Sequence, residues 1–167
     1  MVPNFLVVIA TGLIPLFVGF IWYNKNVMGK VWMAESGFNP DTAKKPNMLA
    51  VFGISLLFST LLAMSLMPTV IHQMGLYSML ANNETALQDP NSELSKTVAA
   101  LMTQYGTEFR TFKHGALHGS LTALFFVLPV IGTSALYEQK SAKYVAVHVG
   151  YWAICLTLMG GIICAFA

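Results

Sequence analysis

Apolar residues in this chain fall in long unbroken blocks, without the period-two or every-third-and-fourth alternation of a soluble amphipathic element. Residues 5–22 carry no charge over eighteen positions; at 1.5 Å per helical residue they reach about 27 Å, close to the thickness of a hydrocarbon core. Comparable blocks follow, and the predicted spans are about 4–23, 47–68, 112–137 and 143–166. Pro68 near the end of the second block predicts a kink or a helix end there, with residues 69–80 continuing as helix toward the interface. Pro129 lies inside the third block, and the short turn 138–143 makes the third and fourth spans antiparallel neighbours. Between the second and third spans, an outer loop of about residues 76–110 starts polar. It then shows Leu94, Val98, Leu101, Met102 and Tyr105 at spacings of three and four, the pattern of a short amphipathic helix lying on the membrane or over the bundle. The segment 27–34, with Met, Trp and Lys intermixed, suits a short interfacial or re-entrant helix.

Composition agrees with this pattern. Of 167 residues, 56% are hydrophobic and 10% charged, against about 25% charged in soluble domains, so the implied solvent is lipid. The expected class is an all-α integral membrane four-helix bundle forming one domain. A net charge of +2 gives no electrostatic footprint for nucleic acid. The first block is read as a retained span: no basic residue precedes it, and it exceeds the roughly 7–15 apolar residues of a signal core. Loops one and three hold Lys25, Lys30, Lys44, Lys45, Lys140 and Lys143, whereas the middle loop holds Lys96, Arg110 and Lys113. Six basic residues against three orient both termini outward. Trp22, Tyr23, Trp32, Tyr144, Tyr151 and Trp152 fit an interfacial aromatic belt.

Polar side chains at membrane depth mark the candidate chemistry. His114 and His118 stand four apart on one face of the third span, a spacing that suits a metal or a haem iron, and His72 falls at the same end of the bundle. The alternative is three separate imidazoles at headgroup level, bonded to backbone, water or phosphate, so no cofactor is assigned on the sequence alone. At the other end, His148 is expected near Glu138, which lies about 36 Å along the third helix from His114. A Glu138 to His148 contact would pin the last two helices together. Gly115 and Gly119, four apart, and the pair Gly160 and Gly161 predict close helix packing, read as internal in preference to a dimer seam. Cys155 and Cys164 lie nine apart on one helix, too distant to bridge.

Several short segments form a pattern in order: Trp22-Tyr23, Met28-Gly29-Lys30 with Trp32-Met33, Lys45 with Asn47-Met48, His114-Gly115 with His118-Gly119, Leu136-Tyr137-Glu138, Gly150-Tyr151-Trp152, and Met159-Gly160-Gly161. This pattern resembles the bacterial membrane family catalogued as domain of unknown function 1761. Two departures stand out: a longer outer loop over roughly residues 76–110, and Asn24-Lys25 where Ser-Pro is expected. The resemblance implies four helices in a bacterial inner membrane and no established activity, and so transfers no catalytic residue. Three functional readings compete. The first is a non-enzymatic accessory or lipid- and partner-binding component of a membrane complex. The second is a metal- or haem-binding protein using His72, His114 and His118; the third is an oligomeric small-solute transporter or channel.

Overall fold

In the computed structural model, which describes residues 3–167, the chain is all-α, with four helical stretches long and apolar enough to cross a membrane. The first, Phe5–Trp22, is two helices rather than one: α1 (Phe5–Thr11) and α2 (Ile14–Trp22). Pro15 causes the break, because it lacks the N–H that the Thr11 carbonyl would accept, and the chain passes through tighter turns at Gly12 and Leu13 before resuming. Helix α3 (Gly29–Ser36) is a short helix where one was expected near 27–34.

The second span, α4 (Met48–Val70), is capped by Asn47, whose side chain accepts the Ala50 amide at 3.3 Å. It runs two residues past Pro68 and ends at Ile71, whose extended backbone separates it from α5 (Gln73–Met79). The continuous helix expected over residues 69–80 is therefore interrupted, with His72 at the corner. The following connection holds more helix than its polar composition advertises. After a single 3₁₀ turn at Ala81–Asn83 come α6 (Glu84–Gln88) and the amphipathic α7 (Glu93–Tyr105), capped by Ser92.

The third span is α8 (Phe112–Thr122), a π-helical turn (Ala123–Val127) and α9 (Leu128–Tyr137). Pro129 cannot donate to the carbonyl four residues back, and widening the preceding turn to a five-residue repeat accommodates the missing bond without ending the helix. The fourth span, α10 (Ala142–Phe166), is unbroken and touches each of the other three. Cys155, Leu156, Met159, Ile163 and Cys164 on it are fully buried against Val8, Ala63, Leu66, Val70 and Ile71.

The tightest seam is α8 against α10. A Cβ at Gly119 would lie 2.6 Å from the Leu156 carbonyl carbon, and one at Gly115 would lie 2.7 Å from that of Gly160. Backbone therefore meets backbone along this line, which is how helices gain contact in lipid, where apolar burial supplies no drive between them. Gly161 makes room for the Phe112 ring, and Ser120 and Thr157 share a 2.8 Å hydroxyl contact across the same seam. Gly115 and Gly119 thus both face Gly160 across this seam, while Gly161 faces Phe112.

Candidate functional site

One helix and one corner bring the first three histidines together. Thr111 caps α8 by accepting the His114 amide at 3.2 Å, which fixes the first turn and sets His114 and His118 on one face. His72 comes from the α4–α5 corner, held there because Ile71 is fully buried while His72 is exposed. Ring nitrogens, one from each histidine, lie within 4.8 Å of one another. The His72 and His114 Nε2 atoms are 2.8 Å apart, so one ring donates to the other. The ring centroids stand 4.6 to 5.0 Å apart.

The surroundings hold this cluster in place. Phe109 packs its ring 5.0 Å from that of His114 and 6.2 Å from that of His72. It does so from a left-handed backbone, φ 61°, a conformation that costs a non-glycine residue roughly 1–2 kcal/mol. Its carbonyl accepts from the Cys164 thiol at 3.2 Å, and the same sulfur reaches the Val70 carbonyl at 3.1 Å. Cys164 thus ties the His72 corner and the approach to α8 to one point on α10. Arg110 adds to this by donating from Nε to the Cys164 carbonyl at 2.7 Å and from Nη2 to the Ala167 carbonyl, satisfying acceptors that the end of α10 leaves open. Gln73 clamps the corner from the other side, its Nε2 donating to the carbonyls of Tyr105 and Glu108 at 3.1 and 2.9 Å. Its Oε1 is buried without a partner among the described residues.

Beside the cluster lies a cavity of about 490 Å³ lined by His72, Gln73, Leu76, Leu101, Met102, Tyr105, Glu108 and Phe109. A larger groove of about 550 Å³, between the first, second and fourth spans, has no histidine, cysteine or carboxylate in its wall. Of these two, the smaller adjoins the three histidines.

His148 belongs to the opposite end and to a different partner from the one expected. Its Nδ1 lies 3.3 Å from the Tyr23 hydroxyl, while Nε2 is buried without a hydrogen bond among the described residues. Glu138 shares a small cavity of about 170 Å³ with it, yet no ion pair or hydrogen bond joins the two. Glu138 is exposed at the end of α9, where water solvates the carboxylate; drawing it inward would forfeit that solvation, and the neutral phenol takes the imidazole instead. Burial, reinforced by Cys155 and Tyr144, pushes the Tyr23 phenol up to about 12.

Sequence reading found the three histidines but missed what supports them. Phe109, Cys164, Arg110 and Gln73 act through tertiary contacts that no local spacing announces. Arg110 alone carried a signal: a cation is favoured at the carbonyl end of a helix, and α10 needed one.

No curated protein and no solved structure matches the chain. The family profile described as protein of unknown function (DUF1761) matches residues 6–164, the segment that contains all four spans apart from their outermost residues and all four histidines, and the chain belongs to that family.

Proposed function

We propose that this chain is a membrane protein that binds a divalent transition metal through His72, His114 and His118. The observation that carries the reading is that one ring nitrogen from each lies within 4.8 Å of the others. Zinc takes imidazole nitrogen at about 2.0–2.1 Å in tetrahedral geometry, which places ligand atoms about 3.3 Å apart. The present spacing, 2.8 Å for the closest pair and up to 4.8 Å overall, brackets that value and needs side-chain rotation only. All-nitrogen donors favour zinc, copper or nickel over magnesium or calcium, which prefer oxygen. Bis-histidine haem does not suit the cluster, because it needs two imidazoles on opposite faces of a macrocycle, whereas His114 and His118 share one face of α8 and His72 is in hydrogen-bond contact with His114.

An excess of lysines at the opposite end supports a bacterial inner-membrane orientation with the histidine end and both termini outward. An accessory-subunit role has no observation of its own here, since lipid accounts for the exposed apolar faces.

The test is zinc uptake by protein purified without chelator or affinity-tag histidines. One zinc per chain is expected, lost in a His72→Ala, His114→Ala, His118→Ala triple variant. Equal uptake by native and triple variant sinks the reading.

A further inference from the structure

A metal held by the three histidines would have an unfilled coordination position. No carboxylate or thiol joins the cluster among the described residues, and Cys164 is buried with its thiol engaged by two carbonyls. Three protein ligands with a fourth position open is the arrangement of zinc sites that meet a ligand, whereas structural sites are closed.

What adjoins that position is apolar. The cavity of about 490 Å³ takes His72 as one wall, while Leu76, Leu101, Met102, Tyr105 and Phe109 supply most of the rest. This volume is in the range of small-molecule sites, about 300–1,000 Å³. Helix α7 brings Leu101, Met102 and Tyr105 to the cavity from its apolar face, but it does not close against α5; Leu101 stays 39% exposed and Tyr105 50%. An amphipathic helix that lays its apolar stripe over a void rather than over a core leaves that stripe to be covered by an apolar occupant.

Charge selects the head of that occupant. Three neutral imidazoles would leave a divalent ion at +2, and Glu108, exposed at the rim of the cavity, brings −1 near it. One further negative charge brings the site to neutrality. A carboxylate supplies it, whereas a phosphomonoester headgroup near −2 would leave net negative charge beside apolar walls, where an uncompensated charge is costly.

From these observations we infer that the cavity binds a free long-chain fatty acid, its carboxylate completing the metal's coordination and its alkyl chain lying between α5 and α7. The inference rests on the metal reading above. Leu76, Leu101 and Met102 set the space for the chain, and Glu108 discriminates against more highly charged heads.

The experiment uses the full chain in lipid nanodiscs with a diazirine-bearing palmitate, and maps the crosslinked residues by mass spectrometry. Zinc content is measured on every sample. With zinc bound, crosslinks are expected on residues 73–79 and 98–109, competed by palmitate but not by hexadecanol or dioleoyl phosphatidic acid. Stripping zinc is expected to lower the yield at least about tenfold. Leu101→Trp, which fills the cavity, keeps zinc and loses the crosslink; Met102→Trp serves the same purpose should the first variant fail to retain zinc. Native protein that takes up no zinc overturns the metal reading and this inference with it. Zinc uptake with crosslinking that ignores zinc, or that survives both tryptophan variants, or that phosphatidic acid competes better than palmitate, overturns the fatty-acid site while the metal site stands.

Discussion

The two ends of the bundle use the same side chain in opposite ways. At one end His72, His114 and His118 turn their nitrogens toward one another, with a cavity alongside. At the other, His148 turns toward a tyrosine, and α3 is pinned to the turn before α10 by Lys140 donating to the Ser36 carbonyl at 3.3 Å and by Ser141 donating to the Glu35 carboxylate. His148 pairs one nitrogen with a phenol, its Nε2 left buried without a partner among the described residues, and no second imidazole stands beside it. Imidazoles whose neighbours are each other share one proton between two acceptors and hold spare lone pairs, which is what a metal uses. The partner, and not the histidine, separates a candidate site from a strut.

Both ends hang on the α8–α10 seam, so the largest effect comes from breaking it. Gly119→Leu drives a side chain into the Leu156 backbone, which has no rotamer to yield. The cost exceeds the roughly 1–3 kcal/mol of ordinary overpacking, and loss of the monodisperse folded protein in detergent is expected, with zinc uptake and thermal stability failing together. A native melting temperature would show that the seam is looser than its geometry implies. Next in size is the test of the two ends against each other. His114→Ala should weaken zinc binding by more than the roughly 10- to 100-fold that even outer supports cost, whereas His148→Ala should leave it unchanged. Equal losses, measured by competition with a chromogenic chelator, would abolish the distinction between the ends. Smaller again is Cys164→Val, which keeps all three ligands but removes the thiol that ties the Val70 and Phe109 carbonyls to α10. A loss of roughly tenfold in zinc affinity is expected by the same titration.

The spans were legible because a bilayer demands eighteen or more predominantly apolar residues and the sequence supplies such a stretch four times among the described residues. Their interruptions were legible less evenly. Pro68 announced a kink or a helix end and Pro129 carried no expectation beyond its place inside its block, but whether a proline ends a helix, widens it or is simply tolerated depends on what packs around it: α4 runs on to Val70, and the third span widens at 123–127. Pro15 had drawn no such expectation, yet it splits the first span. The i, i+4 spacing of His114 and His118 is intrinsic to a helix and so could be read directly, and His72 could be placed at the same end by counting turns. Phe109 could not. Its contribution depends on a left-handed turn in a connection of mixed polarity, where no periodicity operates. The Tyr23–His148 contact spans 125 positions, and Glu138, close in sequence and opposite in charge, was the more obvious partner. Charge attraction misled there because the competing term, the solvation of an exposed carboxylate, is invisible in sequence.

The smallest prediction isolates the strut end. Tyr23→Phe keeps the ring, with its 5.6 Å edge contact to Trp32 and 5.3 Å contact to Tyr151, and removes only the hydroxyl facing His148. Losing one neutral hydrogen bond costs about 1 kcal/mol, with zinc affinity unchanged. The pH dependence gives the sharper signature. A phenol raised from 10 to about 12 on folding keeps its proton in the native state at pH values where the unfolded chain has released it. The native state then holds more protons, so this group's contribution is present in full below pH 10 and declines as pH rises from 10 to about 12. Lysines and other tyrosines also titrate in that window, but they are common to both proteins, and subtracting the Phe variant's stability curve from the native one removes them. The difference should shrink with rising pH across that interval. A flat difference would mean that Tyr23 titrates as it does in the unfolded chain, and that the strut end is wetter than its packing implies.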